Sequence, residues 1–342
     1  MRLKGSLPDE VADLLLATSF AEFATLTAHG VPIDTPLLSF PDEDLSKIVM
    51  ATGLSYPVKA ERARRNPKVG LLYWPLRPGE PVVQVVGLAA VRDRDIQQNL
   101  LKYLAETVHI APETPWAVRR QAIWYWARIL IEIHPTQVLW WDGPDALDRA
   151  PGRWDAPADA AFPLSDPAPA GHPAPAPKWP APDWRAAAKI DIEAAYPAYV
   201  SLVDDDGFPR VSPARDVRLV GDGLSFDLPA GMPGRRDGPA SLTYFGRDTF
   251  VGTASADGPR VRLAVERALP ILPFTGGTAS PWDPTPEVKA QLMARLEAEL
   301  ARRGLPLPVA PEDPPVQGPG ARRRAERDTK GADAAMFERA KL

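Results

Sequence analysis

The sequence predicts a mainly β protein made of two tandem copies of one small β-domain. Three observations carry this. First, a turn signature, Gly30-Val31-Pro32 followed by Pro36, returns as Gly207-Phe208-Pro209 followed by Pro213. Second, each signature follows a short apolar run, residues 23–27 and residues 199–203, so that each reads as strand, turn, strand. Third, the same offset carries residues 48–51 onto 225–228, and later blocks match in the same order: 69–74 with 240–245, 86–89 with 251–254, and 128–133 with 260–265. Keeping turn chemistry and loop length together is the mark of an internal repeat.

The elements follow in order. The matched runs are short, rich in Val, Ile, Thr and aromatics, and punctuated by Gly, Pro and Asp, as strands are. Asp204-Asp205-Asp206 before Gly207 suits a tight hairpin. The first copy, residues 1–150, carries an insertion over residues 94–127 that reads as helices. There Leu100, Leu101 and Leu104 form a stripe, Thr114 can cap and Pro115 can open the next helix. Residues 151–184 hold ten prolines and read as a stiff linker, although Trp154, Trp179 and Trp184 predict that parts of it lie against a domain surface. The second copy, residues 185–304, ends in a helix opened by Thr285-Pro286-Glu287, striped by Val288, Leu292, Leu296 and Leu300, and stopped by Gly304. Residues 305–342 read as a disordered tail, basic around Arg322-Arg323-Arg324.

Composition narrows the function. The chain has 342 residues, enough for two cores, and a formal net charge of −4 that gives no global case for nucleic acid or membrane binding. It has no cysteine, which excludes thiolate chemistry, and its four histidines, His29, His109, His134 and His172, lack metal-site spacing. The start lacks an apolar signal core and no apolar run is long enough to span a membrane, so the expected setting is cytoplasmic. No Ser-His-Asp order, phosphate loop or dinucleotide glycine fingerprint is present.

The chemistry concentrates in residues 51–59, Ala-Thr-Gly-Leu-Ser-Tyr-Pro-Val-Lys. A strand end with Thr52, a turn with Gly53 and Ser55, and Lys59 at a helix start bring hydroxyls, backbone N–H groups and a cation together, which suits a phosphate. Arg62, Arg64 and Arg65 continue that helix to Asn66-Pro67. In the second copy the stretch is Gly231-Met232-Pro233-Gly234-Arg235-Arg236-Asp237-Gly238, and the Lys-bearing helix is lost.

This order, a strand with Gly-x-Pro, a Thr-ended strand, the Lys helix, Asn-Pro and then residues 83–89, resembles the FMN-binding split-barrel flavoproteins, the superfamily of pyridoxamine 5′-phosphate oxidase. Residues 23–92 cover the pattern, and residues 128–143 resemble the family's closing strand with its Trp-containing end. The resemblance implies a mainly β fold, a split β-barrel with helical insertions followed by a second, degenerate split-barrel-like domain. It places Thr52, Ser55 and Lys59 at the flavin phosphate and ribityl chain, the strand from Thr35 beneath the isoalloxazine, Gln84 at its polar edge, and Trp141 reaching a flavin held mainly by the other half. Two departures stand out. The family's substrate-gripping Arg-x-His pair is replaced by residues 144–149, Pro-Asp-Ala-Leu-Asp-Arg, and its second-strand arginine by Ile33-Asp34-Thr35, so vitamin B6 oxidation is not expected.

Such flavoproteins are generally homodimers, and a tandem chain can place a degenerate second barrel where the partner would be. The expectation is an intramolecular pseudo-dimer with one working site, further homodimerisation remaining open. The implied activity is FMN-dependent redox chemistry on a small organic molecule. One alternative is the 8-hydroxy-5-deazaflavin coenzyme, its acidic tail met by Arg62, Arg64, Arg65 and Lys68. The other is a non-enzymatic flavin- or haem-binding or interaction protein.

Overall fold

The computed structural model describes residues 3–18, 20–75, 77–109, 114–173, 182–258, 260–269 and 284–328. In the first half α1 (Asp9–Ala17) leads into β1 (Phe20–Leu26), β2 (Pro32–Pro41) and β3 (Ile48–Gly53). Then come α2 (Val58–Arg65), β4 (Lys68–Tyr73) and β5 (Val82–Arg92). The insertion forms α3 (Ile96–Thr107), α4 (Trp116–Arg119) and α5 (Ile123–Trp126) before β6 (Arg128–Trp141) and the short β7 (Gly152–Asp155). The strands run in the order β3-β2-β1-β4-β5-β6, and β3 also pairs with β6, so six strands close into a barrel with β7 added on β6.

The second half repeats this plan with α6 (Trp184–Glu193), β8 (Ala198–Val203), β9 (Pro209–Pro213), β10 (Arg215–Val220), β11 (Gly223–Asp227), β12 (Gly238–Tyr244), β13 (Thr249–Asp257) and β14 (Arg260–Leu269). Its order is β10-β11-β14-β13-β12-β8-β9. The edge strands β9 and β10 are two pieces of one segment interrupted at Ala214, where the first half has the unbroken β2. The strand order is therefore that of the first barrel, left open at the break. Gly30 and Gly207 both turn with positive φ, +73° and +78°, which is why the turn signature keeps glycine in both copies.

The two halves bury separate cores, one around Phe23, Met50, Leu71 and Ile131, the other around Val200, Phe226, Leu242 and Phe250. A further apolar cluster joins them: Ala24, Leu72, Val82, Leu139 and Trp141 pack with Tyr199 and Val211. Strand contacts across this boundary are reciprocal. β4 meets β9 as β12 meets β2, and β1 meets β9 as β8 meets β2. Since β8, β9 and β12 repeat β1, β2 and β4, this is the self-complementary pattern of a two-fold dimer, made within one chain.

Several local expectations are refined. Pro115 is the residue before α4 and not its first helical residue, and α1 and α6, which precede the first strand of each half, had no repeat signal of their own. Trp154 and Trp184 pack against the first and second cores, as their presence in the linker implied, while Trp179 lies outside the described residues. Thr285 caps α7 (Pro286–Arg303) by accepting from the Val288 N–H, and Gly304 ends it in the left-handed region. The tail differs from expectation over residues 305–328. There α8 (Pro319–Asp328) docks on the first half through Arg324, which is buried, donates to the Glu106 carboxylate at 2.6 Å and stacks over Phe40. Residues 329–342 lie outside the described residues. Among the described residues no helix is long and apolar enough to cross a membrane.

Candidate functional site

β3 ends on Thr52 and Gly53, and the chain turns back through Ser55 and Tyr56 into α2. The turn is held by the Tyr56 N–H donating to Gly53 O (3.0 Å) and the Leu54 N–H donating to Ala127 O (2.9 Å). No side chain caps the start of α2, so its first N–H groups face the turn without a protein side chain as acceptor. A cavity of roughly 620 Å³, open mouth included, lies against this turn. Thr52, Gly53, Ser55, Tyr56 and Lys59 form one wall, Leu37 of β2 another, and Trp124, Tyr125 and Arg128 a third.

The cavity is cationic. Among the described residues no carboxylate pairs with Lys59, and burial, followed by the neighbouring Arg62 and Arg128, pulls its amine down to about 8. Arg62 is itself pulled down to about 10 by burial and by Arg65 and Arg267, the last reaching over from β14 of the second half. Arg128 opens β6 directly opposite Gly53. Its guanidinium lies over the rings of Tyr103 (4.5 Å) and Tyr125 (4.1 Å), whose hydroxyls stand 3.3 Å apart.

Helix α7, following the second barrel, closes over the turn of the first. Ser55 Oγ donates to Leu292 O (3.1 Å), Arg295 Nε donates to Ser55 O (2.7 Å), and the Arg295 guanidinium lies 4.6 Å above the Tyr56 ring. The other end of α7 is pinned to the far face of α2. There Arg302 and Arg303 converge on the buried Glu299 and reach Glu61 and Asp93, and Asp93 also pairs with Arg64 at 2.8 Å.

Of the residues singled out from sequence, Thr52, Ser55 and Lys59 meet in this cavity. Thr52 is buried with its hydroxyl 3.4 Å from Tyr56 O, while the Ser55 hydroxyl is turned to α7. Thr35 is half-buried on the same face of β2 as Leu37 but does not line the cavity. Gln84 and Trp141 do not line this cavity; both lie at the boundary between the halves. Gln84 is a staple between the halves, its Nε2 donating to Val211 O (2.9 Å) and its Oε1 accepting from Arg210 (3.3 Å). Trp141 is packed into the apolar cluster between the barrels and donates its indole N–H to Arg149 O (3.1 Å). Of Arg64 and Lys68, named for an acidic tail, Arg64 is matched by Asp93 and Lys68 reaches Asp206 O across the boundary. Sequence reasoning missed Arg128 and Tyr125, and foresaw α7 as a helix but not its place at this site. The stripe on α7 signalled burial without its address, and Arg128 carried no signal beyond opening the closing strand.

The equivalent turn of the second half, residues 229–232, is covered by the chain itself. A Cβ on Gly231 would stand 1.8 Å from Arg149 O, and its N–H donates to Leu147 O (3.0 Å). The Asp148 carboxylate accepts from the Ala230 N–H (2.8 Å) and from Arg215 (2.8 Å), so an internal anion takes the place at that turn.

No protein-family model matches this chain, and no curated protein matches it. Solved structures do. General Stress Protein 26 from Bacillus anthracis is 18% identical with a TM-score of 0.30, covering 43% of this chain and 97% of its own. A pyridoxamine 5′-phosphate oxidase-related, FMN binding protein from Nostoc punctiforme is 15% identical with a TM-score of 0.31, covering 41% and 83%. A chain named F420 reductase is 18% identical with a TM-score of 0.30, covering 39% and 98%. Each of these three chains spans about two-fifths of this one.

Proposed function

We propose that the chain is a flavin-dependent oxidoreductase acting on a small organic molecule, with the phosphate end of FMN in the cavity beside Thr52 and Lys59. The observation that carries this reading is Lys59, a half-buried cation with no counter-ion among the described residues, at the uncapped start of α2. Leaving a cation desolvated beside other cations is costly, and a bound anion removes the cost. Lys59 and Thr52 would hold the phosphate, with β2 from Thr35 to Leu37 beside the ring system. The flavin, when bound, supplies the hydride transfer; the protein binds it, orients it and excludes water. With the second turn covered by Asp148 and Arg149, the expected load is one flavin per chain.

A second reading rests on Arg62 with Arg65 and Arg267, which help to pull it down, the three having no carboxylate partner among the described residues. They extend the positive surface beyond one phosphate, which suits a deazaflavin coenzyme with an acidic tail. Titration of the full-length protein with FMN, followed by flavin absorbance, tests the first reading. Saturation near one flavin per chain, with Lys59→Ala weaker by about 1.5–3 kcal/mol, the worth of a charge-assisted hydrogen bond, is the expected result. Indistinguishable curves for the two proteins, or two flavins per chain, would overturn it.

A further inference from the structure

Apart from Arg62 and Arg65, the cationic groups around α2 form two contrasting sets. On one face Arg64, Arg302 and Arg303 are matched by Glu61, Asp93 and Glu299. On the cavity face Lys59 and Arg128 have no carboxylate among the described residues, and Arg128 Nε is buried without a hydrogen-bond partner. Arg128 is nevertheless held firmly, its guanidinium fixed by Tyr103 and Tyr125 and one of its nitrogens 3.5 Å from where a Cβ on Gly53 would stand. Arg128 is thus a cation held in place at the cavity with no carboxylate of the described residues to meet it, an arrangement that suits an anion from outside.

We infer that Arg128 is the second cation of this cavity, and that Lys59 and Arg128 together select a terminal phosphomonoester over a phosphodiester or a carboxylate. A phosphomonoester at neutral pH carries between one and a half and two charges, roughly, and three acceptor oxygens, enough for both cations and for Thr52. A diester has a single charge and two free oxygens. It leaves one of the two cations without a full partner. Lys59, Arg128 and Thr52 line the same cavity, which places the two cations to share one ligand. Because the guanidinium is planar and stacked between rings, lysine cannot take its place. The inference rests on the proposed reading of the cavity as a cofactor's phosphate end. It favours riboflavin 5′-phosphate over coenzymes whose phosphate is a diester, the deazaflavin coenzyme and FAD among them.

The test uses full-length protein and small probes, methyl phosphate and dimethyl phosphate, followed by phosphorus NMR, alongside FMN, riboflavin and FAD followed by absorbance. Wild type should bind methyl phosphate at least about tenfold more tightly than dimethyl phosphate. Arg128→Met and Arg128→Lys should lose about 10- to 100-fold for the monoester, the loss of one charge-assisted hydrogen bond. In Arg128→Met the Lys59 amine, followed by NMR after reductive methylation, should titrate higher than in wild type, a readout that needs no ligand. Equal wild-type affinity for the two esters overturns the inference without any variant, as does an Arg128→Met protein, folded by circular dichroism, that binds the monoester as wild type does. Methyl phosphate bound in the expected order with no flavin bound would remove the flavin reading and leave the phosphomonoester site. Riboflavin bound as tightly as FMN would do the reverse.

Discussion

Gly70 of the first barrel lies so close to Pro209 of the second that a Cβ on Gly70 would stand 2.0 Å from the Pro209 carbonyl oxygen. The contact is backbone against backbone, between β4 and β9, and no rotamer change relieves it. Gly70→Ala should therefore force the barrels apart and destabilise the protein by about 2–3 kcal/mol, within the range for overpacking. Hydrogen exchange should rise in β9. Gly79→Ala, at a positive φ with nothing within 4 Å, serves as the control and should cost about 1 kcal/mol without changing β9. Unaltered exchange in β9 of Gly70→Ala would show that the halves are not docked through this contact.

A second prediction concerns Glu22 and Asp34, buried side by side next to Tyr199 at the boundary between the halves. Burial pushes both carboxyls up, Asp34 to about 7 and Glu22 well above its ordinary range. The unfolded chain ionises these groups near pH 4 while the folded chain keeps its proton, so the unfolded state binds fewer protons between about pH 4 and pH 7. Stability should fall as pH rises through that window; the share of Asp34 is complete above about 7, and Glu22, held up by burial and by the Asp34 charge, extends the fall. Asp34→Asn should flatten the fall and stabilise the protein at pH 7 by up to about 4 kcal/mol, at roughly 1.4 kcal/mol per pH unit. Chemical denaturation at pH 5 and pH 8 checks it.

The third prediction uses Lys59. Its amine, pulled down to about 8 and faced by Arg62 and Arg128, is charged below that pH and neutral above it. Affinity for a phosphate-bearing ligand should fall as pH rises past about 8, by up to about tenfold per unit, and binding near pH 8 should take up a fraction of a proton. Calorimetry in buffers of different ionisation enthalpy measures the uptake. An affinity independent of pH between 7 and 10 would show that the Lys59 proton plays no part.

The fourth prediction separates buried from exposed ion pairs. Glu299 is fully buried and receives Arg302 and Arg303. Glu299→Ala leaves two arginines without that partner and should cost about 3–5 kcal/mol, loosening α7 from α2. The exposed Lys189–Glu193 pair should be worth less than about 1 kcal/mol. Thermal melts of Glu299→Ala and Glu193→Ala rank the two.

Much of the fold was legible in the chain because it rests on local rules written twice. A turn that needs positive φ keeps its glycine, as Gly30 and Gly207 do, and strands betray themselves by β-branched runs between such turns. The grouping of Thr52, Ser55 and Lys59 was legible for the same reason: they lie within one turn, and spacing along the chain places them together. What Gln84 and Trp141 meet, Val211 for the one and the apolar cluster with Tyr199 for the other, is set by how two barrels dock, a relation that no local pattern encodes. The same holds for Arg128, clamped by tyrosines from α3 and α5, and for α7, whose apolar stripe required burial without specifying a surface. Local sequence thus determined the repeated strands, their turns and the phosphate-suited loop, through backbone sterics and short-range periodicity. Docking decided which cations stay unpaired and which turn stays open, since ion pairing and steric exclusion depend on groups that meet only after the chain has closed on itself.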